Sequence, residues 1–131
     1  MYLLDTNICI YAMKNSSTGL TAKLLQTDPA DICISSVTLS ELEYGIAKSK
    51  APDRNRRALY QFLAAVPVLD YDSSAAQEYG DIQAALEKAG TPIGPMDLMI
   101  AAHARSCGCT IVTKNCREFL RICGLRTENW A

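Results

Sequence analysis

An α/β fold of three layers, with helices on both faces of a central, mainly parallel sheet of four or five strands, is predicted by three features of this chain. Short apolar runs containing β-branched residues alternate with longer stretches of helical period, as expected for parallel strands joined by helical crossovers. The helical stretches carry their own boundary residues: capping hydroxyls, prolines at first positions and a terminating glycine. No linker, repeat or low-complexity tract interrupts the pattern, so residues 1–131 are expected to form a single domain. A chain of this length buries about two thirds of the surface its unfolded form exposes and needs no metal or disulfide to stay folded.

The first strand is Tyr2–Leu4, followed by Asp5-Thr6-Asn7 and an apolar run from Ile8 to Met13 that reads as a helix. Ile32–Ser35 is the second strand. The helix after it, Thr38–Ser49, carries Leu39, Leu42 and Ile46 at helical spacing, and Thr38-Leu39-Ser40-Glu41 matches a capping box. Pro52 opens another helix, whose Leu59, Tyr60, Phe62 and Leu63 offer more apolar surface than one buried stripe needs. Val66–Leu69 is the third strand. A long helix capped by Ser73 or Ser74 then runs through Ala76, Tyr79, Ile82 and Leu86 to Gly90. Pro95 suits the first position of a helix through Leu98, Ile100, Ala101 and Ala104. Thr110–Thr113 is the fourth strand, Asn115–Ile122 a short basic helix, and the extended piece around Leu125–Arg126 a candidate edge strand.

Composition narrows the function. No apolar stretch approaches the ~20 residues that span a bilayer, and the N-terminus lacks a basic segment ahead of an apolar one, so no membrane association and a cytoplasmic location are expected. Six cysteines without a CxxC pair, and a single histidine, His103, read as free thiols in a reducing compartment rather than a disulfide framework or a zinc site. His103 itself reads as a core or surface histidine. The net charge of −1 conceals segregation. Lys48, Lys50, Arg54, Arg56 and Arg57 stand against Asp53 alone, and Arg105, Lys114, Arg117, Arg121 and Arg126 against Glu118 alone. Either cluster taken singly is a solvated helix face. Beside an acidic centre, the two together form a rim suited to phosphates.

That acidic centre begins at Asp5. An acid directly after a parallel strand lies at the sheet's carboxyl end, where open α/β folds hold their ligands. Glu41 and Asp97 also lie where the chain leaves a strand or loop and enters a helix. Each acid has a plain structural explanation: Asp5 as a helix cap, Glu41 as the end of the capping box, Asp97 as a complement to the helix dipole. Converging on one rim, three carboxylates would repel one another unless a cation neutralised them. Hard oxygen ligands in that number suit Mg²⁺ or Mn²⁺.

The ordered set Leu4-Asp5-Thr6-Asn7, Ser35-Ser36-Val37-Thr38-Leu39-Ser40-Glu41-Leu42, Ile93-Gly94-Pro95-Met96-Asp97 and Val112-Thr113-Lys114-Asn115-Cys116-Arg117-Glu118-Phe119 resembles the PIN-domain ribonucleases of the VapC toxin type. The resemblance covers essentially the whole chain. It implies a PIN-like fold and an Mg²⁺-dependent endoribonuclease that cuts structured RNA, notably tRNA in the anticodon region. It also implies a homodimer neutralised by a VapB-type antitoxin, part of the apolar surface after Pro52 going to the antitoxin tail or the partner subunit. Asp5, Glu41 and Asp97 would be the catalytic metal ligands. Thr6, Asn7 and Thr113, and more weakly Ser36, would hold those carboxylates in ligand geometry. Lys48, Lys50, Arg54, Lys114 and Arg117 would contact RNA phosphates. The chain departs from many PIN domains at Asn115, where they carry an aspartate. Glu118, one turn later, either supplies the missing carboxylate or pairs with Arg121 or Lys114.

The residue inventory narrows the chemistry separately. Metal-free ribonucleases generally use the substrate 2′-OH with two histidines as base and acid, and this chain has one. A metal-activated water is the alternative nucleophile, leaving 5′-phosphate and 3′-hydroxyl ends. Two other readings compete. A metal-dependent phosphatase of the aspartyl-phosphate kind wants a second Asp two residues after the first, where this chain has Asn7. A non-catalytic PIN-like module binding RNA or protein draws only on Asn115.

Overall fold

The computed structural model describes all 131 residues. Its elements in chain order are β1 (Tyr2–Leu4), α1 (Thr6–Lys14), α2 (Thr18–Gln26), a 3-10 turn (Pro29–Asp31), β2 (Ile32–Ser35), α3 (Ser36–Ala47), α4 (Pro52–Ala65) and β3 (Val68–Leu69). There follow α5 (Ser73–Ala89), α6 (Pro95–Ser106), β4 (Thr110–Val112), α7 (Cys116–Phe119) and β5 (Thr127–Glu128). The five strands pair in the order β3-β2-β1-β4-β5, all parallel, as the α/β reading requires. From β1 the chain builds outward through β2 and β3, then returns to lay β4 and β5 on the other side. The reversal puts a crevice between the carboxyl ends of β1 and β4, the place where such sheets accept ligands.

Both sheet faces are dry. Successive strand residues point to opposite faces, so Leu3, Cys33 and Ile111 join one core cluster and Leu4, Ile34 and Val112 the other. The first is covered by α5 and α6 through Ile82, Leu86, Leu98 and Ile100, with Phe119 closing one side. The second is covered by Ile8, Leu20, Leu42 and Leu59 from α1 to α4. No helix is long and apolar enough to cross a membrane. All six cysteines are free, and Cys9, Cys33 and Cys109 are buried.

The structure corrects several boundaries, each for a local reason. Helix α3 starts immediately after β2: the Ser35 hydroxyl accepts from the Val37 amide at 3.1 Å, placing Thr38 inside the helix. The expected capping box therefore does not form, and the buried Thr38 hydroxyl has no hydrogen-bond partner. Strand β3 is shorter than Val66–Leu69 because the Val66 amide closes α4 on Phe62 and Pro67 has no amide to give. Asp72, not Ser73 or Ser74, caps α5 by accepting from the Ala75 amide. The edge strand falls at Thr127–Glu128, two residues beyond the expected Leu125–Arg126, because Leu125 packs against the core while Glu128 accepts from the Thr113 amide. Helix α7 stops at Phe119 rather than Ile122, because the Arg121 and Ile122 amides donate to Glu118 O and Phe119 O, three residues back, in turns tighter than an α-helix. Helix α2 has no counterpart in the sequence reading: Ser17 caps it, and only Leu20 of its residues is buried, so its apolar period is faint.

Candidate active site

Asp5 leaves β1 with its amide donating to Val112 O at 3.0 Å, which fixes it at the β1/β4 crevice. The residue is 6% exposed, and its Oδ1 accepts from the Ile8 amide at 2.9 Å, capping α1. Capping and ligation are thus compatible, since the cap occupies one oxygen. Burial chiefly raises the Asp5 carboxyl above its ordinary range, with Glu41 adding to it, while Thr113 and the Ile8 amide pull it back.

Glu41 reaches the same region from α3. Thr6 Oγ1 donates to Glu41 Oε1 at 2.5 Å, a contact between residues 35 apart that ties the start of α1 to the middle of α3. Asp97 enters from the first turn of α6, after Gly94 and with Pro95 at the first position. Its carboxyl is pushed up to about 6, first by burial, then by the charges of Glu118, Asp5 and Glu41 in that order. Four acids brought in from β1, α3, α6 and α7 therefore share one field. Glu118 belongs to that field, and the expected pairing with Arg121 or Lys114 is not made: the ion pairs are Arg56–Glu43 and Arg105–Glu78.

The surrounding polar groups sort unequally. Thr113 is fully buried, and its hydroxyl accepts from the Asn115 amide at 2.9 Å, shaping the turn that leads to α7. Asn115 is exposed. Asn7 is exposed and makes no side-chain hydrogen bond, and Ser36 turns its hydroxyl to the Tyr71 amide at 3.0 Å, away from the acids. His103 is 1% exposed, bonded through Nδ1 to Ser35 Oγ at 2.7 Å and set edge-on to Tyr71. Burial lowers its pKa, so it is a neutral core residue.

A divalent cation fits this donor set in chemistry. Burial and mutual repulsion raise the Asp5 and Asp97 carboxyls above their usual range, as expected of carboxylates gathered without a positive charge, and carboxylate oxygens are hard donors that suit such a cation. The acids are not drawn into a preformed three-ligand cage, in keeping with Glu41 being held by Thr6.

Of the basic residues, Arg105 is committed to Glu78 and the Cys123 carbonyl, Arg121 to Pro92 O, Arg126 to Gly108 O and Arg56 to Glu43. Lys48, Lys50, Arg54, Lys114 and Arg117 are exposed and make no ion pair. Sequence reasoning missed two aromatic partners among them: Lys114 Nζ lies 5.1 Å over the Tyr11 ring, and Lys48 Nζ lies 4.6 Å over Tyr44. The i, i+4 spacing of Tyr44 and Lys48 was a legible signal for the second. Two cavities lie away from Asp5 and Asp97. One, of about 430 Å³, is apolar and lies between α1, α2 and α4; the other, of about 390 Å³, lies between α1, α3 and α4 and borders Glu41.

Comparison with known proteins decides the family. The PIN domain profile matches residues 2–125. The chain belongs to the PIN-domain family, among the VapC ribonucleases. The tRNA(fMet)-specific endonuclease VapC of Shigella flexneri is 49% identical to this PIN domain over 130 residues, covering 99% of this chain and 98% of that protein. The crystal structure of DNA-bound VapBC from Salmonella typhimurium superposes with a TM-score of 0.94 at 47% identity, covering 99% and 98% of the two chains. VapBC2 from Rickettsia felis, bound to a DNA fragment from its promoter, gives 0.93 at 39% identity, with the same coverage. The nuclease class expected from the sequence is thereby established for this PIN domain, as is its kinship with toxins that form VapBC complexes. PIN-domain nucleases generally use a divalent metal.

Proposed function

We propose that this PIN domain, as a single unit over residues 1–131, is an Mg²⁺-dependent endoribonuclease toxin that cuts tRNA in the anticodon region and is neutralised by a VapB-type antitoxin. The observation that carries the reading is the field around Asp97, whose carboxyl is pushed up to about 6 by burial and by Glu118, Asp5 and Glu41 at the sheet's switch point. The tRNA target draws on the Shigella flexneri relative, whose name specifies tRNA(fMet), and the antitoxin on the VapBC complexes.

Asp5, Glu41 and Asp97 are the residues to hold the cation, with Mn²⁺ as a substitute. When bound, such a cation supplies a water of lowered pKa and offsets charge on the phosphate. The chain's own contributions are positional. Thr6 holds Glu41 by the 2.5 Å hydrogen bond, Thr113 sets the turn beneath Asn115, and Glu118 adds negative charge where Asn115 brings none. Lys48, Lys50, Arg54, Lys114 and Arg117 position the RNA by its phosphates, leaving target choice to shape and unpaired bases. An apolar antitoxin segment fits the cavity between α1, α2 and α4, and its continuation past Met13 and Ala58, which line both cavities, brings it to Glu41. A homodimer, drawing on the rest of the apolar α4 surface, completes the assembly.

The deciding experiment incubates antitoxin-free protein with tRNA and with mRNA, in Mg²⁺ and then in EDTA, and maps the ends. Cleavage of tRNA in Mg²⁺, giving 5′-phosphates and abolished by EDTA and by Asp5→Asn, is expected. Metal-independent cleavage, or undiminished cleavage by Asp5→Asn, would refute the site.

A further inference from the structure

Resting on the ribonuclease reading, we infer that Tyr44 is a stacking platform for one unpaired RNA base next to the acidic site. Glu41 and Tyr44 lie on α3 at i and i+3, and Lys48, the residue that caps its C-terminus, follows at i+7, the spacing that aligns side chains along one helix stripe. The stripe leads from the carboxylate outward, with Tyr44 about 4.5 Å further along the axis. Tyr44 is 66% exposed, so its ring is accessible to a ligand beside Glu41. Lys48 Nζ sits 4.6 Å over the ring, and Tyr44 joins no core cluster that would cover its opposite side. A ring with a cation on one side and no core packing on the other fits a nucleobase, whose π face stacks on that side while the ammonium stays near the phosphate chain.

Two contrasts separate Tyr44 from its alternatives. The other two cation–aromatic pairs, Lys114 over Tyr11 and Lys23 over Trp130, use rings already packed into or against the core, so the fold itself explains them. Tyr44 joins neither core cluster and lines neither apolar cavity, although its neighbours Glu41, Leu42, Gly45 and Ile46 line one. The groove that suits a protein segment therefore passes on the other flank of Glu41. The charge favours nucleic acid: Lys48 lies on the ring, and Lys50, Arg54 and Arg57, which follow it in the chain, are exposed and make no ion pair. Stacking reads no hydrogen-bond pattern, so the platform selects an unpaired base at a given distance from the cut, not a particular base.

The test compares wild-type, Tyr44→Ala and Tyr44→Phe proteins on an RNA stem-loop substrate in Mg²⁺, and on a series of that RNA with one nucleotide at a time made abasic. Tyr44→Ala is expected to raise KM about tenfold, within the range for losing one base–aromatic stack, and to leave kcat within about threefold. Tyr44→Phe, which keeps the ring, restores the wild-type KM. At one position near the cleaved bond, removing the base should raise the wild-type KM as much as Tyr44→Ala does and add nothing in that variant. An unchanged KM in Tyr44→Ala, a loss confined to kcat, or additive penalties at every abasic position would overturn the platform while leaving the nuclease reading intact. So would loss of antitoxin inhibition with KM unchanged, which would assign Tyr44 to protein contact. If wild-type protein cuts no RNA under any metal condition, the ribonuclease reading fails and the platform fails with it.

Discussion

Replacing Asp97 by Asn should make the metal-free protein more stable while abolishing cleavage. The Asp97 carboxyl ionises near pH 6 in the fold instead of near its ordinary 3.8, so above pH 6 the folded state carries a charge that it disfavours. The full displacement corresponds to at most about 3 kcal/mol. Asp97 is partly exposed, and solvent screening reduces that ceiling to about 1–2 kcal/mol. Asn also forfeits ~0.5 kcal/mol of favourable interaction with the α6 dipole, since Asp97 stands in the first turn. A net gain of about 1 kcal/mol remains, or a rise in Tm of about 4 °C for a chain of this size. The sign with pH follows from proton counting. Between about pH 4 and 6 the native state binds more protons at Asp97 than the unfolded state, so wild-type stability from this group falls as pH rises through that window and levels off above it. The Asn variant should therefore be more stable at pH 7.5 and lose its advantage at pH 4. Thermal unfolding in EDTA at the two pH values measures this, and a cleavage assay in Mg²⁺ runs beside it. A variant less stable than wild type at pH 7.5, or equally favoured at both pH values, would refute crowding of negative charge as the organising force of the site.

Four further outcomes are expected. Glu118→Gln removes the largest charge contribution to the Asp97 shift, so the loss of stability with rising pH in EDTA should level off at lower pH and be smaller, read from the same unfolding series. Thr6→Val deletes the hydrogen bond to Glu41 without changing side-chain volume much; cleavage should fall about 10- to 100-fold, with Tm little altered. Phe119→Ala empties a fully buried site beside α6 and β4 and should cost about 3–5 kcal/mol in urea unfolding. Arg105→Ala breaks a partly buried pair with Glu78 and a bond to Cys123 O, loosening the end of α6 from the C-terminal turn; a loss of about 1–2 kcal/mol should appear in the same urea experiment, with cleavage retained.

Local order made much of this protein legible in its sequence. The run Tyr2–Leu4 ahead of Asp5 predicts a strand, an acid at its carboxyl end and a helix because each depends only on adjacent residues, and the structure has them in that order. Pro52, Pro95 and Gly90 likewise mark the boundaries they were expected to mark. Where two local signals competed, the sequence was ambiguous. Ser35 and Thr38 are both good caps, and the end of β2 decided for Ser35 because the chain turns there, leaving Thr38 buried and Glu41 free to meet Thr6.

The sequence by itself determined the alternation of strands and helices, the acid after β1 and, through the ordered motifs, the family. Only the tertiary structure decided which groups act on one another. Glu118 could be assigned to Asp97 rather than to a basic neighbour only once α6 and α7 were packed, and basic residues equivalent in the sequence divided into those spent on Glu78, Pro92 O and Gly108 O and those left free. The same holds for Tyr44, whose exposure beside a carboxylate depends on which face of α3 the sheet and α4 cover. The physical reason is range: capping and periodicity act within about one helical turn, whereas burial and Coulomb interactions depend on distances that exist only after the chain has folded.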